Sequence, residues 1–409
     1  MKQKTLYILV LLAMLVSACG KGGASTAAPV ILHVGWANKP DTLNPAYAFQ
    51  SESYTIFHLI YSTLTTQAVD GSYVGVLAKD WSVSADGLTW TYHLKNGFEW
   101  NNGKPFTADQ IVWAINAYMK DPEGWATLSN YTAGFAEVTA PDAATVVIVT
   151  QYPIANMDYR TSFLYAVYPP DFEGFTKAED LQNFGNDAPI GTGPFILKSY
   201  DKDAGVAQLD ANKNYVDGAP KIDGIIFQTF DNTDAMVQAL KVGEIDLLTS
   251  VPASAYATVQ SFQNVKATAI AGSYFYELII NSVDVNNNPA LTANPALADP
   301  VVRLAIAYSI NKQDIVNIVF QGLAAPGDTI VPPALGGGFW HDPNIVDIPF
   351  DTAKAGQLLD AAGYVLGSDG VRAKGDLRLE FRLQFPSSLS VYARMADMMA
   401  DWFKQAGMK

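Results

Sequence analysis

An α/β protein of more than one domain is predicted by three observations. The chain has 409 residues, enough for two or three domains with a large core. Leu88, Trp90, Tyr92 and Leu94 alternate with Thr89, Thr91 and His93, the period-2 pattern of a half-buried strand. Helical periodicity follows soon after, with Ile111, Ala114, Ile115, Tyr118 and Met119 on one face. That helix has its own start signal: Thr107 and Gln110 form a T-x-x-Q capping box, the hydroxyl serving the N3 amide and the glutamine reaching back.

Taken in order, the folded part opens with a strand at Ile31–Val34. Asp86-Gly87 and Lys95-Asn96-Gly97 supply turn chemistry on either side of the alternating strand. Asp121-Pro122-Glu123-Gly124 ends the helix begun at Thr107, and Thr145–Val149 is a buried strand run. Ile222–Phe230 is expected as a strand and Thr233–Val242 as a helix, with Gly243 at the C′ position. Ser273–Asn281 is apolar on both faces, which predicts a central strand. Asp299-Pro300 is an N-cap with proline at N1, Asn311 caps the next helix and Gly322 terminates it. Leu377, Leu379, Phe381, Leu383 and Phe385 alternate with Arg378, Glu380 and Arg382, which predicts a strand before the last helix.

Composition narrows the function. Lys and Arg number 26 against 40 Asp and Glu, a net charge of −14, which argues against nucleic acid and against electrostatic docking on a membrane. The 12% of aromatic residues suits either a ligand cleft or core packing. Enzyme signatures are absent: there is no G-x-S-x-G and no H-E-x-x-H, and only four histidines occur. Gly191-Thr192-Gly193 is followed by Pro194 and lacks the third glycine of a nucleotide loop, so it reads as a turn. Asp284, Asn286 and Asn288 mimic the start of a calcium loop, yet Pro289 and Pro295 stand where its glycine and bidentate acid belong. Neither a metal nor another cofactor is expected.

The single cysteine follows Lys2, Lys4 and the apolar run Leu6–Val16, in Val16-Ser17-Ala18-Cys19. Residues 1–18 read as a signal peptide, too short to span a bilayer as a mature helix. The V-S-A-C ending resembles a bacterial lipobox, which implies a lipid-modified Cys19 as the mature N-terminus, outside the cytoplasm. Residues 19–29 form a flexible tether.

Several motifs in register then point to one family. Leu77-Ala78-Lys79-Asp80-Trp81, Asp86-Gly87-Leu88-Thr89-Trp90, Trp100 and Phe106-Thr107-Ala108-Asp109 resemble the signature region of the family 5 extracellular solute-binding proteins, the oligopeptide, dipeptide and nickel receptors of ABC importers. Thr42-Leu43-Asn44-Pro45, the stretch Pro189–Tyr200, Gly243-Glu244-Ile245-Asp246 and Asp351–Gly363 continue the likeness. Lys79, Lys95 and Asn102 depart from the family pattern conservatively. The resemblance implies a two-lobe, type II periplasmic-binding-protein-like α/β fold. One lobe comprises 30–65 and 188–271, carrying an inserted subdomain over 66–187. The other starts at 272 and is incomplete at 409, since relatives continue for roughly another hundred residues.

Ligand contacts follow from the same resemblance. The loop after the TLNP proline implies Phe49, Gln50 and Ser51; the loop after the capped helix implies Trp125 at the mouth of the cleft. The interlobe segment implies Gly272, Ser273, Tyr274 and Phe275, and the last helix adds Tyr392. Side chains alternate along a strand, so only one of Tyr274 and Phe275 is expected to look into the cleft. The implied function is a monomeric receptor that captures peptide and delivers it to an ABC permease with its ATPase subunits. An oligosaccharide ligand, a tethered hydrolase, and a sensor using the same cleft are the alternatives; nickel is poorly served by four histidines.

Overall fold

The computed structural model describes residues 28–270, 272, 274–283, 294–333, 340–386 and 390–409. The expected signal peptide, Cys19 and most of the tether, together with Ser273 and the calcium-like Asn288 loop, lie outside the described residues. No described helix is long and apolar enough to cross a membrane.

Strand β1 (Ile31–Trp36) leads through a loop into the helix Ser51–Ile60. A short hairpin, β2 (Thr65–Gln67) with β3 (Tyr73–Gly75), precedes β4 (Ala78–Val83) and β5 (Thr89–Leu94). After the helix Ala108–Lys120 come β6 (Phe135–Asp142) and β7 (Thr145–Thr150). These close an antiparallel sheet in the order β4-β5-β7-β6. In β5 the expected alternation appears in burial only at the end of the strand: Tyr92 and Leu94 are buried while His93 faces solvent, and Thr89, Trp90 and Thr91 are all partly buried.

Strands β8 (Phe195–Asp201), β9 (Val206–Ala211), β10 (Gly224–Thr229) and β11 (Leu247–Leu248) then return to β1, giving a second sheet in the order β11-β1-β10-β9-β8. β1 runs parallel to β10, Ile31 opposite Gly224 and Trp36 opposite Thr229, so segments almost two hundred residues apart share one sheet. The helix Thr233–Val242 packs on it where Gly35 makes room: a Cβ there would stand 2.7 Å from Ile245 Cδ1 and 2.9 Å from Met236 Cγ. One hydrophobic core joins this sheet to the inserted one, running from Val34 and Trp36 through Tyr92 and Tyr118 to Phe227.

The start signals do what the sequence predicts. Thr107 N donates to Gln110 Oε1 at 3.1 Å, and Trp100 Nε1 reaches the same oxygen at 2.9 Å, locking the tryptophan to the helix start. The Gly191-Thr192-Gly193 segment is a turn pressed against the end of the helix Ser51–Ile60. Gly193 N donates to Ile60 O at 2.8 Å, and a Cβ on Gly191 would fall 2.1 Å from that oxygen. Close backbone approach accounts for both glycines.

From 294 onward a separate core forms around Val302, Ala305, Ile306, Leu359, Tyr364, Leu379 and Met408. Asp299, Asn311 and Asp351 each cap a helix, accepting from Val301 N, Asp314 N and Lys354 N respectively. A small sheet, β12 (Val365–Leu366), β13 (Arg372–Lys374) and β14 (Leu377–Arg378), is held by the buried Arg372. Its guanidinium bonds Asp360, Tyr364 O and Ala406 O.

Two expectations are corrected here. The alternating run Leu377–Phe385 is a strand only over Leu377–Arg378; Leu379 is buried, while Leu383 and Phe385 are exposed. Its partner β13 has three residues, too short to pair the rest of the run. The doubly apolar run at Tyr274–Asn281 forms no strand among the described residues. A central strand needs a ladder on both edges, and the described residues provide none there.

Candidate functional site

The loop between β1 and the helix Ser51–Ile60 is built on one carboxylate. Asp41 accepts from Phe49 N at 2.7 Å, from Ser53 Oγ at 2.6 Å and from Thr42 N at 3.1 Å, tying both ends of the loop together. Asn44 pins the middle: its side chain accepts from Ala46 N at 3.0 Å and donates to Leu181 O at 2.6 Å. Asn186 donates to Leu43 O at 2.8 Å and to the Tyr61 hydroxyl at 2.7 Å from beneath. Thr-Leu-Asn-Pro is thus a structural clamp, and the residues after it are what it presents.

Phe49 is 63% exposed and stands edge-on to the exposed Tyr47, with ring centroids 4.9 Å apart. Gln50 is the N-cap of the helix, and Ser51 is its first residue, the hydroxyl donating to Glu52 at 3.0 Å. Phe49 thus leaves most of its ring open to solvent at the end of a braced loop. Tyr47 escaped the sequence reading because nothing in its local pattern separates it from a core aromatic.

Trp125 lies elsewhere. It is 3% exposed, packed 4.6 Å from Tyr118 and 5.2 Å from Phe172. The turn that ends the helix folds it inward, so the aromatic expected at a cleft mouth is a core residue in this conformation. From the same loop, half-buried Tyr131 reaches the surface.

A second group forms around Tyr276. Tyr274 (75% exposed) meets it at 6.3 Å, Tyr392 at 5.5 Å and Phe320 at 5.0 Å. Desolvation raises the Tyr276 phenol above the usual tyrosine range, with the neighbouring Tyr274 and Tyr392 hydroxyls adding to it. Phe275 is 44% exposed and takes no part in these ring contacts. Two expected residues, Tyr274 and Tyr392, are thus brought together through Tyr276, which the sequence reading did not single out. Phe320 comes from a distant helix end and gave no sequence signal. Gly272 sits against the Tyr274 ring, where a Cβ would stand 2.8 Å from Cε1.

The histidines are dispersed. His33 lies in β1, His58 meets the Tyr165 hydroxyl at 3.2 Å, His93 meets Asp80 at 2.6 Å, and His341 meets Asp328 at 3.5 Å. No three His, Cys, Asp or Glu among the described residues come together as a metal site.

Residues 72–409 match the family described as bacterial extracellular solute-binding proteins, family 5 middle. The oligopeptide-binding protein AppA of Bacillus subtilis is 26% identical over 99% of this chain and 74% of its own length. The glutathione-binding protein GsiB of Salmonella typhimurium is 27% identical over 92% of this chain and 71% of its own. The nickel-binding periplasmic protein of Escherichia coli is 26% identical over 95% and 72%. Among solved structures, AppA in complex with a nonapeptide superposes with a TM-score of 0.78 at 23% identity, covering 93% of this chain and 74% of that one. NikZ of Campylobacter jejuni with Ni(L-His) gives 0.78 at 22% identity, covering 92% and 72%. These likenesses establish the two-lobe type II periplasmic-binding fold. The chain belongs to the family 5 bacterial extracellular solute-binding proteins.

Proposed function

We propose that the protein captures a peptide in its interlobe cleft outside the cytoplasm and delivers it to an ABC permease with its ATPase subunits. The observation that carries this is the pair of presented aromatic groups, Tyr47–Phe49 on the first lobe and Tyr274–Tyr276–Tyr392 on the second. Both are held by ring packing or a braced loop and both leave ring surface open, the arrangement of a preformed binding site. Phe49, Gln50, Ser51, Gly272, Tyr274 and Tyr392 are the contacts we assign from it, with Phe275 as a flanking residue. Peptide is favoured over nickel because the four histidines stand apart and no three metal-ligating side chains converge among the described residues. The protein acts by binding and lobe closure rather than by turnover. A lipid on Cys19 would anchor it as a monomer beside its permease.

Isothermal titration with tripeptides and nonapeptides, nickel and maltoheptaose tests this reading. Peptide alone should bind, and Phe49→Ala and Tyr392→Ala should each weaken it by about tenfold or more with unchanged melting. Binding of nickel or maltoheptaose in place of every peptide would refute it.

A further inference from the structure

The helix Ser51–Ile60 begins at the Phe49 loop and ends at a cavity of about 210 Å³. At the rise of an α-helix its 10 residues set the two ends about 15 Å apart. The cavity lies in a seam between three elements. His58 and Ser62 come from the helix end, Thr66 and Val76 from the β2–β3 hairpin and its exit, and Pro194 and Tyr215 from either side of the β8–β9 pair. Ser62 is 2% exposed, and its hydroxyl has no hydrogen-bond partner among the described residues. Its neighbours are already committed: Ala166 N donates to Ser62 O at 2.8 Å, and Thr63 Oγ1 donates to Thr65 O at 2.6 Å. A buried hydroxyl left unpaired is destabilising, so its presence in a cavity wall points to an occupant that bonds it.

We infer that this cavity is a second ligand site, apart from the cleft, for an uncharged ring compound bearing a hydroxyl, of which phenol is the simplest. The wall contains no carboxylate, lysine or arginine to pair with a charged ligand. Desolvation holds the His58 pKa below the usual histidine range and the Tyr215 phenol above the usual tyrosine range, so both are uncharged at neutral pH. Apolar cavities of about 150 Å³ accept benzene, and this one is larger and adds hydroxyls to its wall. Val76, Pro194 and the Tyr215 ring would take the apolar surface of the ligand, and Ser62 its hydroxyl. The site is independent of what the cleft binds.

Phenol, benzene and benzoate titrated into the full chain, followed by ligand-observed NMR, test it. Phenol should bind with a Kd of about 1 mM, benzene about threefold to tenfold more weakly, and benzoate not at all. Ser62→Ala should melt normally, because the hydroxyl it removes has no partner, and should erase the preference for phenol over benzene. Val76→Trp should fill the cavity and abolish binding of both. Phe49→Ala should leave phenol binding unchanged. Should Val76→Trp fail to fold by circular dichroism, Ser62→Ala decides alone. No phenol binding, or a preference that survives Ser62→Ala, overturns the inference. Phenol binding lost in Phe49→Ala would assign the compound to the cleft and overturn it as well, and the peptide reading stands in each case.

Discussion

Replacing Asp41 by alanine removes the acceptor of three hydrogen bonds, from Phe49 N, Ser53 Oγ and Thr42 N, in one step. Asp41 is exposed, so water replaces part of what is lost, whereas Ser53 is fully buried and its hydroxyl is left without that acceptor. Three bonds at the lower end of about 0.5–1.5 kcal/mol each place the loss of stability near 2 kcal/mol. The larger consequence falls on binding. Phe49 is presented only because its amide is held, so a freed loop must be re-ordered by the ligand at about 1–2 kcal/mol per fixed residue. Peptide affinity should therefore drop by at least tenfold, while Asp41→Asn, which keeps one acceptor oxygen, should lie between the two. Urea unfolding and isothermal titration on the same preparations separate the two effects. An alanine variant that unfolds about 2 kcal/mol earlier yet binds peptide normally would show that the clamp supports the fold and not the site.

Four further outcomes are expected. Cys19→Ser should move the protein from the membrane fraction to the soluble one or leave unprocessed precursor, because stable anchoring needs lipid at that residue; normal membrane-bound protein in the variant would exclude lipidation. Tyr274→Ala should weaken peptide binding by roughly tenfold and Phe275→Ala by less, with neither shifting the melting temperature much, since both side chains are exposed. Arg372→Ala leaves Tyr364 O and Ala406 O without their donor inside the second core and should cost about 3 kcal/mol in denaturant unfolding. His58 packs against Phe163 and Tyr165, and desolvation lowers its pKa below the usual histidine range. The unfolded chain therefore binds that proton more readily, so stability should fall as pH drops through about 6.5, and His58→Gln should flatten that part of the curve.

Much of the fold was legible because the local signals and the tertiary structure agree. The capping box at Thr107, the glycine after Val242 and the alternation at the end of β5 each follow from backbone chemistry that needs no distant partner. The failures share one cause. Tyr274–Asn281 and the second half of Leu377–Phe385 carry strand patterns, and a strand is defined by its neighbours. Periodicity states which face a run would bury, not whether a ladder exists to receive it.

The site follows the same logic at finer scale. Thr42–Pro45 could be recognised as a motif, but its mechanical role emerges only when Asp41 and Asn44 within the loop meet Leu181 and Asn186 from far along the chain. Trp125 shows the converse. Its type and place fit a cleft aromatic, yet Tyr118 and Phe172 offer it a dry contact, and burying an indole there outweighs presenting it. The loop after the helix still supplies a surface aromatic, Tyr131, six residues later in the chain. Which ring of a loop faces outward is thus settled by the competing pockets beneath it, and those pockets are assembled from residues that no local window contains.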